Sequence, residues 1–414
     1  MSSHANNRIA FTPQERSASL SLSFVIGLRM LGLFLMLPVM ALGAQQLQGG
    51  DDPRLIGLAL GIYGLTQALL QLPFGMASDR LGRRRVIVFG LLVFAVGSFL
   101  AANAESVWAL VIGRALQGAG AVSAAVSAFL ADRTREVVRT RAMAMVGAAI
   151  GLAFALSLVA APLLFGAIGL SGLLGLTGLL ALMACLVVMR VPEDPMLQAA
   201  QAQLPEEAAP LRSGWSLFFD GQLGRLNLGI FAMMAVQTAM FVAIPLGLQR
   251  FGLQTSSHWQ VYLPMLLLAF VGMIPMIFWA EKRGRFRPVF LVGIGILMAG
   301  ELVFLQADQF PGWMVAIWLF MFGFNLMEAL LPSWVSRSAP SRQRGLAMGL
   351  YNTAQSLGLF IGGLAGGLAA KAFGLTGIFL FCLVILSIWG IMSLGLVEIG
   401  ARSAGRSADH PTGG

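Results

Sequence analysis

Histidine, cysteine and lysine are almost missing from this chain of 414 residues, which has three histidines, two cysteines and only Lys282 and Lys371 as lysines. Cys185 and Cys382 each lie inside an apolar run. They offer no disulfide framework and no metal-ligand spacing, and both read as small packing residues. His4, His258 and His410 fall in the tails and one loop. No His/Asp or paired-carboxylate constellation therefore sits at membrane depth, which argues against an intramembrane enzyme. Nothing resembles a phosphate-binding P-loop, so ATP is not the expected energy source, and no cofactor or metal is expected. Charge is scarce as well: 11% of residues are charged, against about 25% in soluble domains. With 57% hydrophobic residues and a mean hydropathy of +0.82, a water-exposed surface could not be covered with polar groups. A bilayer is the natural solvent. The 50 glycines and 22 methionines suit closely packed membrane helices.

A membrane crossing needs about 20 apolar residues at 1.5 Å rise each. The sequence predicts twelve: 17–44, 54–77, 84–104, 106–131, 140–163, 170–190, 224–249, 259–280, 287–307, 311–336, 344–370 and 374–397. The net charge of +9 is nearly all arginine, gathered in short clusters between these runs. That pattern reads as topology rather than as nucleic-acid binding. With the N-terminus inside, 22 basic residues fall on the cytoplasmic side, three (Arg54, Arg250 and Lys371) on the outer side, and two, Arg29 and Arg114, within spans. Both termini are thus expected in the cytoplasm of a cell bounded by a bacterial-type inner membrane. The first run lacks a signal-peptidase pattern and is read as a retained helix.

The expected organisation is a cytoplasmic tail (1–16), a six-helix bundle (17–190), a polar linker (191–223), a second six-helix bundle (224–397) and a short cytoplasmic tail (398–414). The tail composition reads as disordered. An internal repeat supports two halves. Leu72-Pro-Phe-Gly-Met-Ala-Ser-Asp-Arg-Leu-Gly-Arg-Arg-Arg85 aligns with Ile274-Pro-Met-Ile-Phe-Trp-Ala-Glu-Lys-Arg-Gly-Arg-Phe-Arg287 at a constant offset. Pro73 meets Pro275, Asp79 meets Glu281, Gly82 meets Gly284, and Arg83 meets Arg285. Each copy follows the second span of its half, and parallel repeats of this kind build secondary transporters.

On these residues the chain resembles the major facilitator superfamily over roughly residues 17–397. Gly75-x-x-x-Asp79-Arg80-x-Gly82-Arg83-Arg84-Arg85 is similar to that family's loop motif between helices two and three. Arg114-Ala-Leu-Gln-Gly118-Ala-Gly120 is similar to its fourth-helix motif. The stretches Leu28–Pro38, Phe324–Arg337 and Arg344–Gly358 resemble the YajR-type branch, grouped with drug:proton antiporters. The resemblance implies an all-α fold of twelve transmembrane helices in two pseudo-symmetric bundles, with spans one, four, seven and ten lining a central cavity. It also implies a cytoplasmic gate in which Asp79 meets the start of span eleven, near Arg344–Gly345, and Arg83 pairs with Asp132. The turn Gly-Pro-x-x-Gly-Gly of many antiporters is kept only in part, as Ala161-Pro162-Leu-Leu-Phe165-Gly166, which leaves the direction of transport open.

Gly75 and Gly82 lack a Cβ, which allows close backbone approach or a sharp turn. Ionisable residues at membrane depth are costly and are functional candidates by default. They are Arg29, Arg114, Glu301 and Glu328. Burial in low dielectric disfavours a charged carboxyl, so an acid lining a cavity can load and release a proton. Glu328 is read as a proton or cationic-substrate site, against a structural partner of an arginine or helix end. Arg114 reads as a coupling residue or a packing hydrogen bonder, and Arg29 as a cavity or structural residue. Glu301, on a peripheral span near its outer end, reads as structural. Gln117, Gln237, Asn325, Tyr351, Asn352 and Gln355 are candidate substrate contacts. The chain is expected to act as a monomer, taking protons and a small molecule as its partners. The leading expectation is proton-coupled export of a small amphipathic compound. Import of a metabolite is the alternative, and a non-transporting sensor a distant third.

Overall fold

In the computed structural model the described residues are 11–191, 221–339 and 344–398, and nearly all of them are helical. Helix α1 (Pro13–Phe34) starts at a capping box: Glu15 N donates to Thr12 Oγ1 at 3.2 Å and Thr12 N donates to Glu15 Oε2 at 2.8 Å. Pro38 has no amide hydrogen to give, and the chain passes through turns before the short α2 (Met40–Ala44). Asp52 caps α3 (Pro53–Leu81) by accepting from Arg54 N at 3.0 Å, with Pro53 at the first helical position. Then come α4 (Arg83–Ala102), α5 (Val107–Ala119), α6 (Ser123–Asp132) and the long α7 (Glu136–Arg190). The second half holds α8 (Gly221–Arg250), a 3-10 turn at Thr255–Ser257, α9 (Trp259–Arg283), α10 (Phe286–Gln306), α11 (Phe310–Ser338) and α12 (Arg344–Ser393).

Among the described residues ten helical segments are long and apolar enough to cross a membrane. Two of them, Val137–Arg190 with 54 residues and Leu346–Ser393 with 48 residues, are each long enough for two crossings of about 20 residues. Each is broken near its middle: at Gly169 (φ 65°, ψ −173°) in α7, and at Phe373 and Gly374 (φ 63°, ψ −149°) in α12. The count is therefore twelve, with breaks where the sequence places them. Two expected continuous spans are interrupted. Residues 35–39 divide span one, and Gly120–Val122 divide span four into α5 and α6. Prolines inside α7, α8, α9 and α11 are tolerated, because neighbouring helices re-satisfy freed backbone groups at membrane depth.

Packing follows the two halves. In the first, α1 lies on α7 and α4 on both α5 and α7; in the second, α8 lies on α12 and α10 on α11. The halves touch chiefly through α3 against α12. Leu69, Leu152, Val271, Phe278 and Ile391 are large, apolar and exposed, which gives the outside of the bundle a surface fit for lipid. The proposed linker lies outside the described residues over 192–220, and the tails over 1–10 and 399–414.

Candidate functional site

The basic loop turns on one residue. Gly82, with φ 95°, separates α3 from α4, and Gly284, with φ 63°, does the same between α9 and α10. A positive φ is costly for any residue with a Cβ, so the repeat preserves a backbone requirement. Gly75 has no such role: a Cβ there would meet Ala124 Cβ at 3.9 Å, an ordinary contact.

Arg83 gathers the loop. Its Nε donates to Asp132 Oδ2 at 3.0 Å and its Nη1 to Ser78 Oγ at 2.7 Å, and it also pairs with Asp79 four residues back. Ser78 Oγ donates in turn to Gly75 O at 2.7 Å. Asp79 is 58% exposed at its side chain. Its expected partners Arg344 and Gly345 fall on residues whose side chains lie outside the described part. Arg84 Nη2 donates to the carbonyl of Val191, at the end of α7. In the second copy the side chain of Glu281 is likewise outside the described part. There Glu398 supplies the acid, accepting from Phe286 N at 3.2 Å and Arg287 N at 3.1 Å at the start of α10.

At membrane depth two arginines meet around one tyrosine. Arg29 Nη2 donates to Tyr63 Oη at 2.8 Å and to Gly120 O at 3.5 Å, and its Nη1 donates to Ser123 Oγ at 2.6 Å. The Arg114 guanidinium lies over the Tyr63 ring, 5.0 Å from its centroid. Arg114 Nη1 donates to Gln117 Oε1 at 2.7 Å, and Gln117 Nε2 passes the chain on to Ser98 Oγ at 2.7 Å. Both arginines and Gln117 are buried. A desolvated guanidinium needs such partners, since it keeps its charge.

The acids of the second half stand otherwise. Glu301 is fully buried, and neither carboxylate oxygen has a hydrogen-bond partner among the described residues. Glu328, on α11, is half-buried; its Oε2 is enclosed and without a partner among the described residues, and Tyr351 lies within electrostatic reach. No hydrogen bond or ion pair among the described residues joins Glu328 to Arg29 or Arg114. Of the other candidates, Asn325 is buried and donates to Met321 O of its own helix at 2.7 Å. Gln237 and Tyr351 are buried, and Asn352 and Gln355 half-buried, with Gln355 Nε2 3.7 Å from Met234 Sδ.

A third feature joins the halves at the end opposite the basic loop. A Cβ on Gly57 would collide with Gly363 O and approach Gly367 Cα at 2.8 Å. One on Gly61 would lie 2.6 Å from Phe360 O, and one on Gly64 would collide with Ser356 O. Across the rim Lys371 Nζ donates to Asp52 Oδ2 at 3.2 Å, while Arg54 Nη2 holds the same oxygen at 2.7 Å. Deeper in, the Phe154 ring packs on Phe241 and Phe324 at 6.4 Å and 5.7 Å. Gly57, Gly61 and Gly64 lie on the half of α3 away from the basic loop. Tyr63, Ser78, Ser123, Asp52 and Lys371 escaped sequence reasoning. Tyr63 left a trace: it is one of only three tyrosines, and it sits in mid-span, whereas tyrosine usually marks the membrane interface.

Two bundles of membrane-spanning helices, related by a repeat and meeting along a glycine-lined seam with buried charges at mid-depth, define a multi-pass membrane transporter. The sequence profile of the Major Facilitator Superfamily matches residues 22–285 and 267–412. The chain is 41% identical over 386 residues to the inner membrane transport protein YajR of Escherichia coli (strain K12), covering 92% of this chain and 84% of that protein. It is also 30% identical to an uncharacterized transporter of Buchnera aphidicola subsp. Acyrthosiphon pisum, covering 84% of this chain and 89% of the relative. The chain belongs to the Major Facilitator Superfamily. A D-xylose-proton symporter shares its fold at a TM-score of 0.72 with 15% identity, over 92% of this chain and 98% of that one. So does an inward-facing, occupied bacterial homolog of the human lysosomal transporter Spinster, at 0.72 with 14% identity over 93% and 97%.

Proposed function

We propose that this transporter is a proton-coupled secondary carrier of the inner membrane that exports a small amphipathic compound by alternating access, acting as a monomer with both termini in the cytoplasm. Glu328 carries the reading. It is a half-buried acid whose enclosed oxygen has no partner among the described residues, on a helix that the family resemblance assigns to the central cavity. A carboxyl so placed binds a proton from one side and yields it to the other as the bundles rock. The excess of basic residues on the basic-loop side supports a cytoplasmic placement of that side. On this reading the Gly57–Gly363 seam and the Asp52–Lys371 pair close the outer face in the state described. The contacts of Arg83 with Ser78, Asp79 and Asp132 form the gate loop on the inner face.

Export is favoured by matches to proteins named for drug resistance. One is the tetracycline resistance protein, class G, of Vibrio anguillarum, 33% identical over 33% of this chain and 35% of that protein. Another is multidrug resistance protein 1 of Bacillus subtilis (strain 168), 25% identical over 76% of this chain and 80% of that protein. The incomplete antiporter turn at Ala161–Gly166 favours the second reading, import of a metabolite. The test is transport in proteoliposomes with and without an imposed proton gradient. Glu328→Gln is expected to fold normally and lose gradient-driven transport. Unchanged coupling in that variant would overturn the assignment.

A further inference from the structure

Helix α6 is held at both ends by groups that do not belong to its own span. It is a separate ten-residue helix, about 15 Å long at 1.5 Å per residue, cut off from α5 by the turn at Gly120–Val122. Arg29 of α1 grips its first residue through Ser123 Oγ at 2.6 Å and reaches the carbonyl of Gly120 across the break at 3.5 Å. Asp132, its last residue, accepts from Arg83 of the gate loop at 3.0 Å. Just beyond, Arg135 donates to Glu15 three times: its backbone N at 3.0 Å and its Nε at 2.7 Å to Oε1, and its Nη2 at 2.9 Å to Oε2. Glu15 and Arg29 both belong to α1 and lie 14 residues apart on it, about 21 Å. One helix thus clamps the start of α6 and the turn that follows its end.

We propose that α6 is a strut that fixes the gate loop to α1, and that Arg29 is its positioning residue. The idea rests on the gate-loop reading given above. The break frees α6 from following α5, so it follows the helix that grips it. A displacement of α1 would carry Asp132 towards or away from Arg83, transmitting a change at mid-membrane to the inner rim. Arg114 provides the contrast. It sits on α5, before the break; its bonds run to Gln117 and the backbone of Ala59, and it meets Arg29 only through Tyr63 of α3, which both contact. It braces the first half without touching the strut. Arg29, buried between Tyr63 and Ser123, is then not a substrate ligand. It sets the position of the helix that ends in Asp132.

The test reads the turn after α6. Thr134 is buried there, so Thr134→Cys, in the full chain with Cys185 and Cys382 replaced by alanine, should react with a maleimide only when the end of α6 loosens. Labelling rates are measured in proteoliposomes. Asp132→Asn is expected to raise the rate about tenfold, the scale of one charge-assisted hydrogen bond. Arg29→Gln is expected to match that rise, and the double variant to add nothing further, because coupled residues are not additive. Arg114→Gln is expected to raise the rate less than Arg29→Gln does, by about twofold, since it makes no bond to either end of the strut and reaches Arg29 only through the shared Tyr63 ring. If Asp132→Asn leaves labelling unchanged, the gate reading falls and the strut with it. If Asp132→Asn acts but Arg29→Gln does not, the strut alone is overturned. Equal loosening by Arg114→Gln, or multiplied effects in the double variant, would also overturn it. Should Arg29→Gln fail to fold, Ser123→Ala removes the same contact from the other side. A rise of about threefold is then expected, and an unchanged rate would end the proposal.

Discussion

Within their membrane-spanning stretches the two halves of this transporter bury opposite charges and treat them differently. The first half buries Arg29 and Arg114 and gives each guanidinium acceptors: Tyr63, Ser123 and Gly120 for one, whose Nε alone has no partner among the described residues, and Gln117 and Ala59 for the other. The second half buries Glu301 and leaves both of its oxygens without a partner among the described residues, and it half-buries Glu328 with one oxygen in the same condition. Elementary chemistry separates the cases. A guanidinium keeps its charge in any protein environment, so burying it without acceptors is prohibitive. A carboxyl has another way out, because it can discard its charge by binding a proton. On the function proposed above, the half with unpartnered acids carries the protons and the half whose arginines are hydrogen-bonded holds shape. Of these two acids, Glu328 is the one with partial exposure.

The largest expected effect tests that difference between the two acids. Glu328→Gln should abolish transport driven by a proton gradient, while Glu301→Gln should leave the coupling of proton to substrate intact. The readout is substrate flux in proteoliposomes against imposed pH steps. Loss of coupling in both variants would erase the distinction between a partly exposed acid and an enclosed one.

Stability gives the next contrast. Arg114→Met strips Gln117 Oε1 of its donor and removes the cation over the Tyr63 ring; a loss of about 3 kcal/mol is expected from these broken charged contacts. Glu301→Met replaces an unpartnered polar group by an apolar one of similar size, and a gain of about 1 kcal/mol is expected. Thermal unfolding in detergent should move in opposite directions for the two. A fall for Glu301→Met would mean that the carboxyl has a stabilising role that its surroundings do not reveal.

The repeat loops offer a smaller test in which the halves should agree. Gly82→Ala and Gly284→Ala each force a Cβ onto a backbone of positive φ, and each should cost about 1–2 kcal/mol. Gly75→Ala, in open helix with an ordinary neighbour at 3.9 Å, should be neutral or slightly stabilising. Equal losses at Gly75 and Gly82 would show that the loop needs closeness rather than a turn.

These contrasts also mark what sequence could reveal. The twelve spans were legible because the bilayer demands long apolar runs and forbids unsatisfied backbone. The pairing of Gly82 with Gly284 was legible because a turn requirement survives in both copies. The buried charges stood out individually, since ionisable residues at membrane depth are rare. Their partners did not. Tyr63 lies 34 residues from Arg29 and Ser123 lies 94 away, and no local rule links them. The division of span four at Gly120–Val122 was hidden because its residues are small and apolar on both sides. The pairing of Asp52 with Lys371 spans 319 residues; both residues are common types at helix ends, so only the folded seam brings them to notice.

That seam provides the smallest expected effect, and it tests whether the outer rim is insensitive to protons, as the proposed role of Glu328 requires. Arg54 beside Asp52, helped by Lys371 from the other half, holds the Asp52 carboxyl well below the usual carboxylate range. A depressed acid makes its contribution above its ordinary range and loses it only as pH falls towards the folded value. The Asp52–Lys371 contact should therefore be indifferent to pH between roughly 5 and 8, and any pH response of transport must arise elsewhere, at Glu328 on the present reading. Both basic partners are largely exposed, with Arg54 49% and Lys371 46% accessible at their side chains, and exposed pairs contribute little. Lys371→Gln should accordingly raise outside labelling of Ser356→Cys, buried under Gly64, by no more than a few-fold, and by the same factor at both ends of that pH range. A labelling rate that climbs steeply towards pH 5 in the Lys371-containing chain, and flattens in Lys371→Gln, would place a proton switch at the outer rim and undo the division between the halves.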